Sequence, residues 1–373
     1  MNPKVAILTQ PLHTNYGGTL QAFALQTVIK SFDLDVCTIN YQIKQKSILR
    51  TALSIFKNFI LNRKEKFPIL AMEKILIEKN HTDFIEKYIN RSEIITSEKD
   101  LLSHFNMNNY EAIIIGSDQV WRIEYSPNID NFFLNFYTGS AKKIAYAASF
   151  GLEEWQFLPE KTLDIKKWLN EFDAVSLRED SAVNLCKQYL NINAEHVLDP
   201  TLLLPREKYE RLITNIPKSN KGIFTYILDS SEEKSYILDA IAKKKGLESF
   251  NSQPKMKNKT GLFINNISDY TYPKIEDWIA SFRDASFIVT DSFHGTVFSI
   301  IFNKPFIAIG NMQRGKARFT SILKLFNLED RLIMSFEDFD EKIIDKKINY
   351  DEVNEILIKL QEKSLNFLSE GLN

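Results

Sequence analysis

Short apolar runs alternate with stretches of helical periodicity along almost the whole chain, the pattern of α/β layers built on parallel sheets. Val5 to Gln10 predicts a first strand. Gly18 to Ser31 predicts a helix that gathers Leu20, Phe23, Ala24, Thr27 and Val28 on one face, and Val36 to Tyr41 closes the first strand–helix–strand unit. Further strands are predicted at Ala112–Ser117, Lys143–Ala148, Ala174–Arg178 and His196–Leu198. After Leu202-Leu203-Leu204-Pro205 the series restarts with strand Gly222–Leu228, helix Glu232–Lys245, strand Leu247–Asn251 and helix Ile275–Arg283. Strand Phe287–Thr290, helix Gly295–Asn303, strand Pro305–Ile309 and helix Arg318–Phe326 follow, and a long amphipathic helix spans Asp351 to Leu372. Two such series predict two Rossmann-like domains facing each other across a cleft, 1–204 and 205–345. Ligands of such sheets bind beyond the carboxyl ends of the strands.

Composition narrows the class. The 373 residues are 44% hydrophobic and 25% charged, the balance of an ordinary globular protein with room for two cores. Lys plus Arg number 47 against 48 Asp plus Glu, a net charge of −1, which removes a global electrostatic case for nucleic acid. Two cysteines, Cys37 and Cys186, both in apolar stretches, exclude a disulfide framework and a zinc cluster and fit a reducing compartment. No stretch approaches about 18 uncharged apolar residues, so a cytoplasmic protein is expected.

Three strand-to-helix junctions carry polar residues beyond the needs of a turn. In Asn15-Tyr16-Gly17-Gly18-Thr19 two glycines allow close backbone approach, and the helix start offers free N–H groups; a tight turn capped by Asn15 or Thr19 is the plain alternative. The absence of GxGxxG leaves a dinucleotide without support. In Asp291-Ser292-Phe293-His294-Gly295-Thr296 a histidine stands at a strand's carboxyl end beside the positive end of a helix dipole, suited to proton transfer and to an anion around it. In Ser176-Leu177-Arg178-Glu179-Asp180 the cation Arg178 opposes the dipole, which a ligand carboxylate or phosphate explains better than stability does, with an exposed salt bridge to its own neighbours as the plain alternative. Asp118, just past a strand, is placed as a base or hydroxyl-binding carboxylate, or as a simple cap. Arg314, Lys316 and Arg318 form a basic loop that can clamp a phosphate.

Together these segments resemble the polysaccharide pyruvyltransferase family. The ordered set comprises Asn15–Gln26, Ile114–Trp121, Ala145–Gly151, Ser176–Glu179, Val197–Thr201, Asp291–Gly295 and Arg314–Phe319. The resemblance implies a fold similar to two-domain GT-B glycosyltransferases, with the C-terminal helix (346–373) crossing back to the first domain. It implies transfer of a pyruvyl group from phosphoenolpyruvate to a sugar hydroxyl pair of a polysaccharide or lipid-linked glycan, with no cofactor and no metal. His294 is then the proton donor or phosphate partner and Asp118 the group that activates the acceptor. Arg178, Ser292, Gly295, Thr296, Arg314, Lys316 and Arg318 are expected around the donor, and Asn15, Tyr16, Gly17 and Gly18 around the acceptor. One departure stands out: Ser292 occupies the position two before the histidine where the family often has arginine.

Two rival readings share the architecture. A nucleotide-sugar glycosyltransferase would need base- and ribose-binding residues for which no clear candidate exists, and a noncatalytic glycan- or anion-binding protein would keep the cleft without turnover. Residues 44–66 carry Lys44, Lys46, Arg50, Lys57, Arg63, Lys64 and Lys66 against one acid, Glu65, with Ile48, Ala52, Ile55, Phe56, Phe59 and Ile60 at helical spacing. Such a segment either lies on an anionic membrane or packs its apolar stripe on its own domain.

Overall fold

The computed structural model describes residues 4–43, 69–219, 221–256, 259, 263–310 and 315–373. The first sheet contains β1 (Lys4–Leu8), β2 (Asp35–Tyr41), β3 (Arg91–Ile95), β4 (Ala112–Asp118), β5 (Lys142–Ala148), β6 (Ala174–Leu177) and β7 (Glu195–His196). Its order is β3-β2-β1-β4-β5-β6-β7, parallel throughout. The second contains β8 (Lys221–Tyr226), β9 (Ser249–Asn251), β10 (Ala285–Thr290), β11 (Phe306–Ile309) and β12 (Leu332–Ile333) in the order β12-β11-β10-β8-β9, also parallel.

The central strands are apolar on both faces because helices cover both. Ala6, Ile7, Leu8 and Ile113 to Ile115 are all fully buried. The edges are less regular. In β3 only Ile95 is buried and Ile94 is largely exposed, so the strand carries no apolar run and the sequence pattern does not announce it. Helix Ala71–Tyr88 and the two-residue β12 are likewise absent from the predicted series.

In each sheet the strand order reverses direction at one point, between β1 and β4 and between β8 and β10. A crevice opens there because successive connections leave on opposite sides. The two crevices face each other. One apolar cluster runs beneath them, from Ile7 and Leu20 through Leu202 to Trp278 and Phe298, so the domains share a core at the base of the cleft. Tyr16 is part of that join: its ring stacks on Trp278 at 5.4 Å, and its hydroxyl donates to the Pro273 carbonyl at 2.8 Å.

Helix Tyr350–Leu372 returns from the second domain to the first. Ser364 Oγ accepts the Leu198 N–H at 3.0 Å, and Gln361 Nε2 donates to the Leu202 carbonyl at 2.6 Å. Phe367 and Leu368 are buried, with Phe367 beside Tyr146 of β5. The arrangement is the two-domain, GT-B-like one expected from the sequence. No helix among the described residues is long and apolar enough to cross a membrane. Residues 44–66 lie outside the described residues.

Candidate functional site

Five ionisable side chains from both domains meet where the two crevices face each other. Asp118 ends β4, Arg178 follows β6, and Asp199 caps the short helix Pro200–Leu203. His294 stands in the first turn of helix Phe293–Ile301, directly after β10, and Arg318 in the first turn of helix Lys316–Leu325. All five are buried.

Arg178 organises the group. Its Nη1 donates to Asp199 Oδ2 at 2.8 Å and its Nη2 to Asp118 Oδ1 at 3.1 Å. The other oxygen of Asp199 accepts from the Thr201 N–H at 3.0 Å and the Thr201 hydroxyl at 2.6 Å. Asp199 Oδ2 also faces His294 Nε2 at 3.6 Å, an ion-pair separation too long for a hydrogen bond. That nitrogen is buried and makes no hydrogen bond. Phe293 lies under both guanidinium groups, whose central carbons stand 4.6 Å (Arg178) and 5.6 Å (Arg318) from the ring centroid. Each cation lies within reach of the attraction of the ring quadrupole.

The charges set one another's protonation. Burial would raise the Asp199 carboxyl, but His294, then Arg178 and the Thr201 hydroxyl, reverse this and hold it well below the carboxylate range. Asp118 follows the same logic, with burial outweighed by the combined charges of Arg178, His294 and Arg318. For Arg178 burial is outweighed by Asp118, Asp199 and Glu179, which hold its pKa above the ordinary value. Arg318 is the opposite case: burial and the charge of Arg178 push it down to about 10, although Asp118 and Glu179 oppose them. It remains a cation at neutral pH.

Close backbone approach builds the meeting point. A Cβ on Gly17 would stand 2.0 Å from His294 Nδ1, so the imidazole of one domain rests directly on the first helix turn of the other. Gly315, at φ +93°, approaches Gly151 O so closely that a Cβ would lie 1.9 Å from it. Asp118 itself holds φ +79°, which costs a non-glycine residue on the order of 1–3 kcal/mol and aims its carboxylate at Arg178.

Asp118, Ser292, Phe293, His294 and Arg318 line a cleft of about 860 Å³ together with Asn15 and Gly18. Gln42, Lys74 and Glu78 from the first domain and Gln253 and Pro254 from the second also line it. His13 borders the same space, and burial together with Lys74 lowers its pKa against the pull of Asp118.

The structure thus gathers Asp118, Arg178, His294 and Arg318 from the sequence-predicted residues and separates others from them. Arg178 is behind the wall, its side chain 1% exposed and both Nη atoms engaged by the chain's own aspartates. Asn15 and Ser292 line the cleft while capping their helices, by accepting the N–H of Gly18 at 3.1 Å and of Gly295 at 3.4 Å. Tyr16 spends its hydroxyl on Pro273, as described above. Gly295 packs on Thr290, and Thr296 is fully buried with its hydroxyl donating to the Ser292 carbonyl at 3.3 Å, so both serve the helix start. Lys316 begins its helix away from the cleft lining, and Arg314 lies outside the described residues. Asp291 is a strut that accepts the N–H groups of Leu228 and Asp229 and the Lys234 ammonium.

Asp199 was not singled out from the sequence. Before Pro200 it reads as a helix cap, which it is, and nothing local signals its second task of meeting Arg178 and His294. Among the described residues no cluster of three or more His, Cys, Asp or Glu is arranged to hold a metal ion.

The fold recurs in proteins of low sequence similarity. UGT89C1 of Arabidopsis thaliana aligns over 100% of both chains at 10% identity with a TM-score of 0.50. MnaA of S. aureus, solved with UDP, aligns over 99% of this chain and 91% of its own at 11% identity, also with a TM-score of 0.50. An O-GlcNAc transferase from Thermobaculum terrenum aligns over 99% of this chain, which spans 66% of its length, at 11% identity and a TM-score of 0.46. These likenesses concern the fold alone. No curated protein matches the sequence. The family model for polysaccharide pyruvyl transferase matches residues 15–313, a span that contains Asn15, Asp118, Arg178, Asp199 and His294. The chain is a member of the polysaccharide pyruvyl transferase family.

Proposed function

We propose that this transferase moves a pyruvyl group from phosphoenolpyruvate to two hydroxyls of a sugar, forming a cyclic ketal and releasing inorganic phosphate, with no cofactor. The observation that carries the reading is the presence of both Arg318 and His294 in the lining of the cleft. Burial and Arg178 press on the charge of Arg318, and the imidazole Nε2 of His294 is buried without a hydrogen bond. A small dianionic or trianionic donor is chemically suited to a cleft lined by a guanidinium and an imidazole. Its carboxylate would pair with Arg318, and its phosphate would lie against His294 and the start of helix Phe293–Ile301.

The chemistry follows from the same residues. His294 delivers a proton to the methylene carbon, which becomes a methyl group and leaves the adjacent carbon electrophilic. Asp118, held ionised by Arg178 and His294, accepts the hydrogen bond of the incoming sugar hydroxyl and draws off its proton as the C–O bond forms. The bond from that carbon to the phosphate oxygen breaks, and the second hydroxyl closes the ring. Over one turnover the two hydroxyl protons end on the methyl carbon and on phosphate. Arg178 and Asp199 act behind this by holding Asp118 and His294 in place. Ser292, in place of the arginine frequent in the family, leaves the donor-facing guanidinium to Arg318.

The test is calorimetry with phosphoenolpyruvate, followed by phosphorus NMR of mixtures with oligosaccharide acceptors. Wild-type protein binds phosphoenolpyruvate and releases phosphate only with acceptor, whereas His294→Ala binds more weakly and releases none. Near-normal turnover by His294→Ala, or binding of a nucleotide sugar in place of phosphoenolpyruvate, sinks the reading.

A further inference from the structure

The loop that follows Asp118 is held more firmly than an exposed connection needs. Trp121 anchors it in the core, 1% exposed, with its indole Nε1 donating to the Phe132 carbonyl at 2.9 Å. Gln10 Nε2 donates to the Gln119 carbonyl at 2.9 Å and to Ser126 Oγ at 2.8 Å, and the Ser126 hydroxyl donates to the Val120 carbonyl at 2.7 Å. Arg122 stands within this frame, 5% exposed. Its Nη1 donates to Gln119 Oε1 at 3.1 Å, and its Nε and Nη2 donate to Glu124 Oε2 at 3.3 and 3.1 Å. The guanidinium carbon also lies 4.3 Å from the centroid of the Tyr125 ring. Gly151 leaves room for the group, since a Cβ there would stand 2.2 Å from Gln119 Oε1 and 3.1 Å from Arg122 Cδ.

Glu124 and Tyr125 both line the cleft, together with Asp118. Tyr125 keeps 40% of its surface exposed although Arg122 lies over its ring. A buried guanidinium thus braces a carboxylate and an aromatic ring that themselves remain open. Bracing fixes side-chain rotamers before a ligand arrives, which removes an ordering cost from binding. A pyranose is a ligand that matches the pair. It carries C–H bonds on one face, which pack on an aromatic ring and meet the negative face of its quadrupole, and hydroxyls at its rim, which donate to a carboxylate. Tyrosine supplies that contact area with only two side-chain torsions to fix. We propose that Tyr125, braced by Arg122, is the platform on which the acceptor sugar stacks, with Glu124 accepting hydrogen bonds from its hydroxyls. The proposal rests on the reading of a sugar acceptor given above, and it assigns recognition of the sugar to the loop just after Asp118, the group that takes up the hydroxyl proton in that reading.

The experiment is saturation-transfer NMR on the full chain with the methyl β-glycosides of glucose, galactose and N-acetylglucosamine, in the absence of phosphoenolpyruvate. It needs no turnover: sugar binding that depends on Tyr125 stands even where no phosphate is released, and the pyruvyl-transfer reading alone then falls. Wild type binds at least one glycoside, with saturation concentrated on the C–H protons of one ring face. Tyr125→Ala raises the Kd of that glycoside by about tenfold or more at an unchanged melting temperature, whereas Tyr125→Phe keeps it within about threefold. Binding of none of the three by the wild type overturns the proposal, as does undiminished binding by Tyr125→Ala. A loss in Tyr125→Phe equal to that in Tyr125→Ala assigns the contact to the hydroxyl instead of the ring and overturns it too. So does a loss of phosphoenolpyruvate affinity in Tyr125→Ala that matches its loss of sugar affinity, since the ring would then belong to the donor.

Discussion

Replacing Gly17 by alanine adds one carbon at a point of close approach between the two domains. Built on the present backbone, that carbon lies 2.0 Å from His294 Nδ1, 2.2 Å from Cγ and 2.7 Å from Cβ. Carbon and nitrogen atoms in contact need about 3.5 Å, so either the imidazole retreats by about 1.5 Å or the domains part by as much. The first helix turn would not resist the change, since alanine in place of glycine favours a helix by about 0.5–1 kcal/mol. The loss therefore falls on His294. A displacement of about 1 Å in a reacting group can lower a rate by about a hundredfold. Gly17→Ala is expected to release phosphate from phosphoenolpyruvate and acceptor at least a hundredfold more slowly than wild type. A melting temperature at or above wild type marks a retreat of the ring, and a lowered one marks separation of the domains. Activity within about twofold of wild type would refute the idea that this contact seats the histidine.

Other outcomes follow from the buried charges. Asp199→Ala removes one partner of an ion pair whose side chains are 0% and 1% exposed, and is expected to destabilise the fold by about 3–5 kcal/mol in urea; a loss below about 1 kcal/mol contradicts the arrangement. Stability should also fall with acid in two windows. His81 is buried, chiefly by desolvation held at about 4 against 6.5 when unfolded, so between these values the unfolded chain binds protons that the folded one refuses. That difference corresponds to about 3 kcal/mol lost as pH falls from about 6.5 to 4, with His13 and His196 acting in the same direction. His81→Phe, which keeps a ring against Tyr16 and Tyr272, should flatten the urea midpoint across this window; a flat wild-type profile refutes the assignment. Asp118 and Asp199, with folded pKa values below the ordinary 3.8, add stability present above about pH 4 and lost as pH falls through those folded values. Asp199→Asn should reduce this lower limb.

Much of this was legible in the chain because central parallel strands are continuous apolar runs. Ala112–Ile115 and Phe287–Thr290 announce themselves, and the residues just past them fall at the crevices by the geometry of the fold. That reasoning reached Asp118, His294 and Arg318. It found Arg178 for a sound reason, a cation at a helix start needing an anion, but the anions proved to be Asp118 and Asp199 of the same chain. A sequence cannot show such a pairing, because it depends on the register of three strand ends brought together by the sheet. The tight seat of His294 on Gly17 was also out of reach, since it exists only between domains. Edge strand β3 escaped because only Ile95 of its five residues is buried.

The returning helix Tyr350–Leu372 has a consequence for the order of events on the ribosome. Domains emerging from the ribosome tend to fold as units, N-terminal first, at a synthesis rate of about 5–20 residues per second. Here the first domain lacks part of its own covering until Gln361, Ser364, Phe367 and Leu368 have been made, because those residues close over Leu198, Leu202 and Tyr146. During synthesis of the whole second domain, that flank of the first sheet is exposed. The nascent chain therefore carries an open apolar strip for at least the time needed to make residues 205 to 350. A stop codon near residue 349 would damage the domain farthest from it in sequence.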